Sequence, residues 1–299
     1  MLMNRTINSV AKPVFKPVIK FFPERFALLP AVGKISVVLP TGQQFFMVNN
    51  GRDGVVNLIY WLGGIGKYEF PSTKIWMLLT KNSKIVFDIG AFSGLYSLLA
   101  ASLNEKTQIF AFEPVDETYS VLKQNIKVNN FKNIAAIKKA VSDSNGKVTL
   151  YIPHSALLPG SSSIVDKFRP LSFKKLEVSS ISIDSFIKER NISRVDLVKI
   201  DVETAEPKVL KGMQQAIVNY HPTVLMEILP HRRNMEEFLE NFFNSYGYIW
   251  FWLNNQGLVE QKHIRGDPTY KFSNYLFVKN KVWKEHDLFR KINSLFKYK

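Results

Sequence analysis

Short hydrophobic strands alternate with amphipathic helices between residues 84 and 279, and this order restricts the fold more than any other feature of the chain. The strand-like runs lie at 84–90, 107–114, 134–143, 196–202, 222–229, 248–254 and 275–279, and the helical runs lie at 95–103, 115–130, 206–220 and 234–247. Alternation of this kind is typical of a parallel sheet with helices on both faces. We therefore predict an α/β fold built on a Rossmann-like, doubly wound sheet of seven strands.

Two segments interrupt or precede this alternation. Residues 30–82 come first, and the run "KISVVLPTGQQFFMV" within them predicts a β-hairpin extension with Gly42 in its turn. Residues 146–168 combine an extra strand with a loop rich in Ser, Pro and Gly. A long loop inside a compact α/β domain is usually functional or mobile, so this loop is a candidate cover for a binding site.

The composition excludes several kinds of chemistry. The chain has 299 residues, of which 46% are hydrophobic, so it can bury a core. It has no cysteine, which excludes disulfides, thiolate catalysis, iron–sulfur clusters and cysteine-ligated zinc. The formal charge of +15 suits nucleic acid, an anionic membrane surface or an acidic substrate, and it equally suits a lysine-rich surface that keeps the protein in solution.

The two ends of the chain are basic and carry no targeting pattern. Lys12, Lys16 and Lys20 interrupt the first apolar run before it reaches the length of a signal peptide. No apolar run reaches the roughly 20 residues of a membrane-spanning helix. We expect a cytoplasmic protein whose basic ends either contact an anionic membrane peripherally or pack on their own domain. Residues 281–299 favour a basic C-terminal helix.

The residues that follow the strands indicate where a ligand binds, because open α/β sheets bind ligands beyond the carboxyl ends of their strands. The first strand ends at Asp88 and leads into Gly90 and Gly94, which permit a tight turn and close approach of the backbone. The second strand ends at Glu113, whose carboxylate can accept the hydroxyls of a ribose. This pattern predicts a nucleoside-containing cofactor.

Asp88 distinguishes the two cofactors that this pattern suits. A dinucleotide places its pyrophosphate in the glycine turn, where an aspartate would repel it. S-adenosylmethionine (SAM) carries an ammonium and a sulfonium, both of which an aspartate attracts. The G-x-G-x-x-G fingerprint of dinucleotide sites is also absent. The sequence therefore favours SAM.

Six segments, in order, resemble the FkbM-type SAM-dependent methyltransferases between about residues 68 and 279. They are "FDIGAFSGLYS", "FAFEP", "AVSDSNGKVTLY", "SIDSFI", "VDLVKIDVETAEPKVLKG" and "HPTVLMEI". The resemblance implies a methyltransferase domain at 68–280, preceded by a basic segment and hairpin at 1–67. It also implies methylation of a hydroxyl, commonly on a sugar or secondary metabolite.

The resemblance further implies which residues contact the cofactor. These are Asp88, Gly90, Gly94, Glu113 and Asp143, and we count Phe92 and Ser142 as further candidate cofactor contacts. The family typically has Asn in place of Phe92 and Gly in place of Thr204. We expect Phe92 to narrow the floor of the cofactor pocket and Thr204 to alter the turn after the fourth strand.

The acids after the fourth and fifth strands are the candidate catalytic residues. Asp201 follows the fourth strand directly, and the two-residue strand period aims Glu203 the same way if the strand extends that far. Glu227 ends the fifth strand at the same edge of the sheet. A carboxylate there can take the proton of an acceptor hydroxyl as general base. Glu206 is expected to start the next helix, where an acid favours the helix dipole, and Lys199 to neutralise Asp201 or Glu227.

Weaker candidates lie around this edge. The resemblance places Glu69 beside the cleft, His154 lies in the long loop, and His231 follows the fifth strand, so all three are candidate substrate contacts. The acids could hold Mg²⁺, which would lower the pKa of a hydroxyl, but no recognisable ligand set favours a metal site.

Three functions remain open from the sequence. The favoured one is O-methylation of a small molecule, glycan or glycolipid by SAM. Methylation of nucleic acid suits the positive charge, but a row of carboxylates would repel phosphates, and no Asn/Asp-Pro-Pro-aromatic signature follows the fourth strand. A non-catalytic SAM-binding protein is the third possibility, favoured by Phe92 and Thr204.

Overall fold

The computed structural model describes residues 29–153 and 173–285. The N-terminal segment 1–28, the loop at 154–172 with His154, and residues 286–299 of the predicted C-terminal helix lie outside this part of the chain. Within it, no helix is long and apolar enough to cross a bilayer.

The chain begins with the predicted hairpin. Strands β1 (Val32–Val38) and β2 (Gln44–Asn50) pair antiparallel. Gly42 lies in the turn with φ of 86°, a left-handed conformation that glycine adopts without steric cost. Two helices that the sequence analysis did not predict follow, α1 (Gly54–Leu62) and α2 (Phe70–Thr80), with a 3₁₀ turn between them.

The central sheet confirms the predicted doubly wound α/β fold. Its strands are β3 (Ile85–Ile89), β4 (Gln108–Phe112), β5 (Ile134–Ile137), β9 (Leu197–Ile200), β10 (Thr223–Glu227), β11 (Tyr248–Asn254), β12 (Gly257–Glu260) and β13 (Asn274–Lys279). Their order in the sheet is β12-β11-β13-β10-β9-β3-β4-β5. Strands β5, β4, β3, β9 and β10 pair in parallel, and β13 pairs antiparallel with both β10 and β11.

The sheet has eight strands rather than the predicted seven. The additional strand is β12 at the edge, which pairs antiparallel with β11. Its four residues, "GLVE", are too few to show a strand period in the sequence.

Helices cover both faces of the sheet. Those after β3 are α3 (Leu95–Leu103), α4 (Asp116–Val128), α5 (Ile183–Glu189), α6 (Glu206–Lys211), α7 (Gln214–Tyr220), α8 (Arg233–Ser245) and α9 (Asn280–Glu285). Val86 packs in one hydrophobic cluster with residues of the hairpin, α2 and α3, whereas its neighbour Phe87 packs in a second cluster with residues of α5 to α8. Alternate residues of a strand thus fill two separate cores.

Two predicted elements are divided in the structure. The predicted strand 134–143 is split into β5 and β6 (Ala140–Val141), because β6 leaves the central sheet and pairs with β8 (Phe173–Ile181). Strand β8 also pairs with β7 (Gly146–Pro153), which completes a small sheet of three strands. The predicted helix 206–220 breaks at Gly212, where an added Cβ would lie 2.0 Å from the Ser142 carbonyl oxygen.

Asn125 of α4 joins the hairpin to the loop that follows β3. This fully buried side chain accepts a hydrogen bond from the Val48 amide (2.7 Å) and donates one to the Ser93 carbonyl (2.8 Å). The hairpin therefore fixes part of the sheet's carboxyl edge, although the boundary between residues 67 and 68 remains a prediction.

We predict that Asn125→Ala lowers the free energy of unfolding by about 2 kcal/mol, because the half-buried Val48 N–H and the buried Ser93 C=O both lose this partner. Urea denaturation measures the change. The exposed neighbour Gln124 provides the control, and Gln124→Ala should change stability by less than about 0.5 kcal/mol. Equal effects of the two substitutions would contradict this role of Asn125.

Candidate active site

The glycine turn after β3 lies against the end of β9. Gly90 has φ of 83°, and a Cβ added there would lie 1.8 Å from the Asp201 carbonyl oxygen. Gly94 has φ of 97°, and its added Cβ would lie 2.5 Å from Leu122 Cδ1. The sequence explained both glycines by the approach of a ligand, but contacts within the protein also require them.

Phe92 stands at the centre of this turn. Its φ of 52° is left-handed, a conformation that Asn tolerates better than Phe. Its amide donates a hydrogen bond to Glu113 Oε2 (3.0 Å), so the turn is fastened to the end of β4. Glu113 Oε1 also accepts from the Val115 amide (2.9 Å) and from Thr118 Oγ1 (2.8 Å). Burial raises the pKa of Glu113 to about 7.

A first cavity of about 540 Å³, open to solvent, lies beside Glu113. Its lining residues are Gly90, Phe92, Phe112, Glu113, Pro114, Val115, Lys139, Ala140, Val141, Leu150, Asp201, Val202 and Ala205. The candidates Ser142 and Asp143 come next along the chain but do not line it. Ser142 is buried against Gly212, and Asp143 is exposed.

A second cavity of about 420 Å³ shares Gly90, Phe92 and Asp201 with the first. Its other lining residues are Val55, Tyr68, Glu69, Asp88, Ala91, Ser93, Leu95, Tyr96 and Lys199. Asp88 is buried in its wall and accepts a hydrogen bond from Ser97 Oγ (2.6 Å). Burial raises the pKa of Asp88 to about 6, although the Ser97 hydrogen bond opposes this.

Asp201 lies where the two cavities meet, and its side chain is 37% exposed. Lys199 Nζ lies 3.1 Å from Asp201 Oδ2, which confirms the predicted neutralisation.

Glu69 also faces the second cavity and accepts a hydrogen bond from the Tyr96 hydroxyl (2.7 Å). Glu69 immediately precedes α2 with a left-handed φ of 39°. Tyr68 and Tyr96, which also line this cavity, were not predicted, because they do not directly follow strands.

Glu227 ends β10 opposite Asn274 of β13. Burial and repulsion from Asp201 raise the pKa of Glu227 well above its usual range, and Lys199 opposes them. Glu203 interacts electrostatically with Glu227 but lies in the turn after β9, because the strand ends at Ile200. The condition under which the strand period would orient Glu203 like Asp201 is therefore not met.

The turn after β9 holds two consecutive left-handed residues, Glu203 (φ 51°) and Thr204 (φ 78°). This conformation strains the backbone of a β-branched residue such as threonine. Glycine, which the family typically has at position 204, adopts it without that strain. The Thr204 amide donates a hydrogen bond to Glu206 Oε1 (3.2 Å). Glu206 is the first residue of α6, as predicted, but it is buried rather than solvated.

His231 follows β10 but is exposed and lines neither cavity. In the described ranges, 29–153 and 173–285, no group of three or more His, Asp or Glu side chains is placed to hold a metal ion.

The buried Glu206 should make stability depend on pH. Burial raises its pKa to about 7 from an ordinary 4.5, so its protonated form stabilises the fold below about pH 4.5, and this contribution is lost as the pH rises through 7. Glu206→Gln mimics the protonated form. We predict that this variant gains roughly 2–3 kcal/mol of unfolding free energy over the native protein between pH 4.5 and 8.

Urea denaturation at several pH values measures this gain, and Glu189→Gln at an exposed position serves as the control. Parallel stability curves for Glu206→Gln and the native protein would rule out a buried, protonated Glu206.

Comparison with known proteins finds similarity to methyltransferases. Three curated relatives are Methyltransferase sdnD of Sordaria araneosa (28% identity over 45% of this chain), 31-O-demethyl-FK506 methyltransferase FkbM of Streptomyces tacrolimicus (27% over 44%) and Hexuronic acid methyltransferase AglP of Haloferax volcanii (25% over 48%). The matched stretches span 62%, 60% and 55% of those proteins, respectively.

The sequence model of the Methyltransferase FkbM domain matches residues 88–257, which is more than half of the chain and includes the glycine turn, Glu113, Asp201 and Glu227. The chain therefore belongs to the FkbM methyltransferase domain family.

Proposed function

We propose that this protein transfers the methyl group of SAM to a hydroxyl of a small molecule, glycan or glycolipid. The observation that carries the proposal is the meeting of two cavities at Gly90, Phe92 and Asp201. One cavity contains the carboxylate of Glu113, and the other is bordered by several acids. This arrangement suits a ligand that has a nucleoside at one end and positive charge at the other.

The first cavity would hold the adenosine part of SAM. Phe112, Val141 and Leu150 offer apolar walls for a base, and the carboxylate oxygens of Glu113 can accept the ribose hydroxyls. Glu113 already accepts hydrogen bonds from Phe92, Val115 and Thr118, so its orientation is fixed before a ligand arrives.

The second cavity would hold the methionyl part of SAM and admit the acceptor. Asp88 lines it and attracts the ammonium and sulfonium groups, whereas Asp201 is already paired with Lys199. SAM supplies an electrophilic methyl group on its sulfonium. The protein's main task is then to align the acceptor oxygen with that methyl group, since the displacement is in line.

The acids beside Asp201 would take the acceptor's proton. As the new O–CH₃ bond forms and the S–CH₃ bond breaks, the hydroxyl proton passes to a carboxylate. Glu227 suits this role because its surroundings raise its pKa well above that of an ordinary carboxyl, so the ionised form binds a proton readily. Asp201 would orient the acceptor at the junction of the cavities, with Glu203 in the adjoining turn and Glu69 on the opposite wall.

The names of the relatives support an oxygen acceptor. One relative is named for methylation of a 31-O position and another for hexuronic acid. The row of acids disfavours a nucleic acid, whose phosphates it would repel. A glycolipid acceptor would suit peripheral contact of the basic chain ends with an anionic membrane, which remains part of the proposal.

Two substitutions separate cofactor binding from catalysis. Glu113→Gln should weaken SAM binding at least about tenfold in calorimetry, because a carboxylate that accepts hydroxyl hydrogen bonds is lost. Asp201→Asn should keep SAM affinity within about threefold and lower methyl transfer at least about 100-fold. The exposed Glu105 provides the control, and Glu105→Gln should change neither.

Turnover requires an acceptor, which a mass-spectrometric screen of candidate glycans and small molecules with isotope-labelled SAM can identify. Native affinity for SAM in Glu113→Gln would contradict the cofactor site. Native turnover in Asp201→Asn would contradict the role of Asp201. Tight SAM binding with no transfer to any screened hydroxyl would favour the non-catalytic function.

A further inference from the structure

Lys199 is a buried cation in the middle of the central sheet. It lies on β9, between β3 and β10, and its side chain is 1% exposed. Burial alone favours the neutral form of a lysine and lowers its pKa. A lysine in such a position therefore needs compensating negative charge, and the surrounding elements supply it.

Acids approach Lys199 from several elements. Asp88 lies directly across from it on β3, and Asp201 follows it along the chain. Glu227 lies two residues beyond Leu225, the β10 residue paired with Lys199, so its side chain leaves the same face of the sheet. Glu69, before α2, lines the same cavity as Lys199. Although burial lowers the pKa of Lys199, the charges of Asp201, Glu69 and Glu227 outweigh burial and raise it above its usual value. Together with the 3.1 Å contact to Asp201 Oδ2, these charges favour the ammonium form of Lys199.

Aromatic contacts fix the position of this charge. The Lys199 ammonium lies 5.2 Å from the centre of the Tyr96 ring, within the range of a cation–π contact. Tyr96 is itself held by Glu69 at its hydroxyl and by the Trp76 indole, whose N–H donates to the Tyr96 carbonyl (2.9 Å). The ammonium has little freedom to move away from Asp201.

Lys199 also lines the second cavity, beside the proposed acceptor position. It is the only cation among the described residues that line this cavity. An ion pair that merely stabilised the fold would not need to reach the cavity wall.

We propose that Lys199 is the positioning residue of the catalytic acids: its ammonium holds Asp201 at the junction of the cavities and keeps Glu227 able to ionise and accept the acceptor's proton. The proposal rests on the proposed function, because it assigns Lys199 a role in methyl transfer. The effect of the Lys199 charge on Glu227 can be measured without methyl transfer, so the experiment can contradict the role of Lys199 without contradicting the proposed function, and the reverse.

The first experiment follows the titration of Glu227 by NMR of ¹³C-labelled carboxyl groups, with Glu227→Gln identifying its signal. Lys199→Met removes the cation and keeps a side chain of similar length. We expect it to raise the pKa of Glu227 by a further unit or more, about the effect of losing an opposite charge at close range. Lys188→Met, at an exposed position, should leave the titration unchanged. An unchanged Glu227 titration in Lys199→Met would overturn the proposal.

The second experiment uses the unaltered protein and remains decisive if Lys199→Met fails to fold. A ¹⁵N-detected ammonium signal of Lys199 should persist at pH 7 and above, in slow exchange with water. A neutral Lys199 amine at pH 7 would overturn the proposal, because it could not hold an ionised Asp201.

Discussion

The close approach of β3 and β9 at their carboxyl ends is the constraint on which the site depends. Gly90 passes so near the Asp201 carbonyl oxygen that no side chain fits between them. The Asp201 amide donates to the Ile89 carbonyl (3.0 Å), and the Gly90 amide donates to the Phe112 carbonyl (3.1 Å), so three neighbouring strands converge at this point. The convergence places Glu113 on one side of the glycine turn and the remaining acids on the other.

The sequence predicted the parts of the fold that depend on local pattern. Strand–helix alternation identified the central sheet, and the position of acids at strand ends identified Asp88, Glu113, Asp201 and Glu227, all of which lie at one edge of the sheet. It missed β12, which is too short to show a period. The strand period would have oriented Glu203 only if the fourth strand reached it, and nothing in "DVETAE" shows that pairing with β3 and β10 stops at Ile200.

The second cavity could not be predicted, because its wall is assembled from distant parts of the chain. Tyr96 meets Glu69 across a helix–helix contact, and Asn274 Nδ2 approaches the same Glu69 carboxylate at 3.5 Å from the last strand of the sheet. The cofactor candidates Ser142 and Asp143 fall at the end of the predicted strand 134–143. In the structure β6 stops at Val141, which lines the first cavity, and the two residues that follow it do not.

Phe92 and Thr204 are the two positions where the chain departs from its family's usual residues, and both have left-handed backbone conformations. Strain of this kind costs roughly 1–3 kcal/mol at each residue and persists where the surrounding structure enforces it. Glu113 holds the Phe92 amide, and Glu206 holds the Thr204 amide. The two buried acids thus maintain the turns on either side of the point where Gly90 meets Asp201.

We expect the acids around this point to face positive charge on a bound cofactor. The most direct test compares, by calorimetry, the affinities of two SAM analogues that differ there: sinefungin, which has an ammonium group in place of the methylsulfonium, and S-adenosylhomocysteine, which has a neutral sulfur. We predict that sinefungin binds at least about tenfold more tightly at neutral pH and that acidification narrows the difference in affinity. Equal affinities, or tighter binding of S-adenosylhomocysteine, would contradict it.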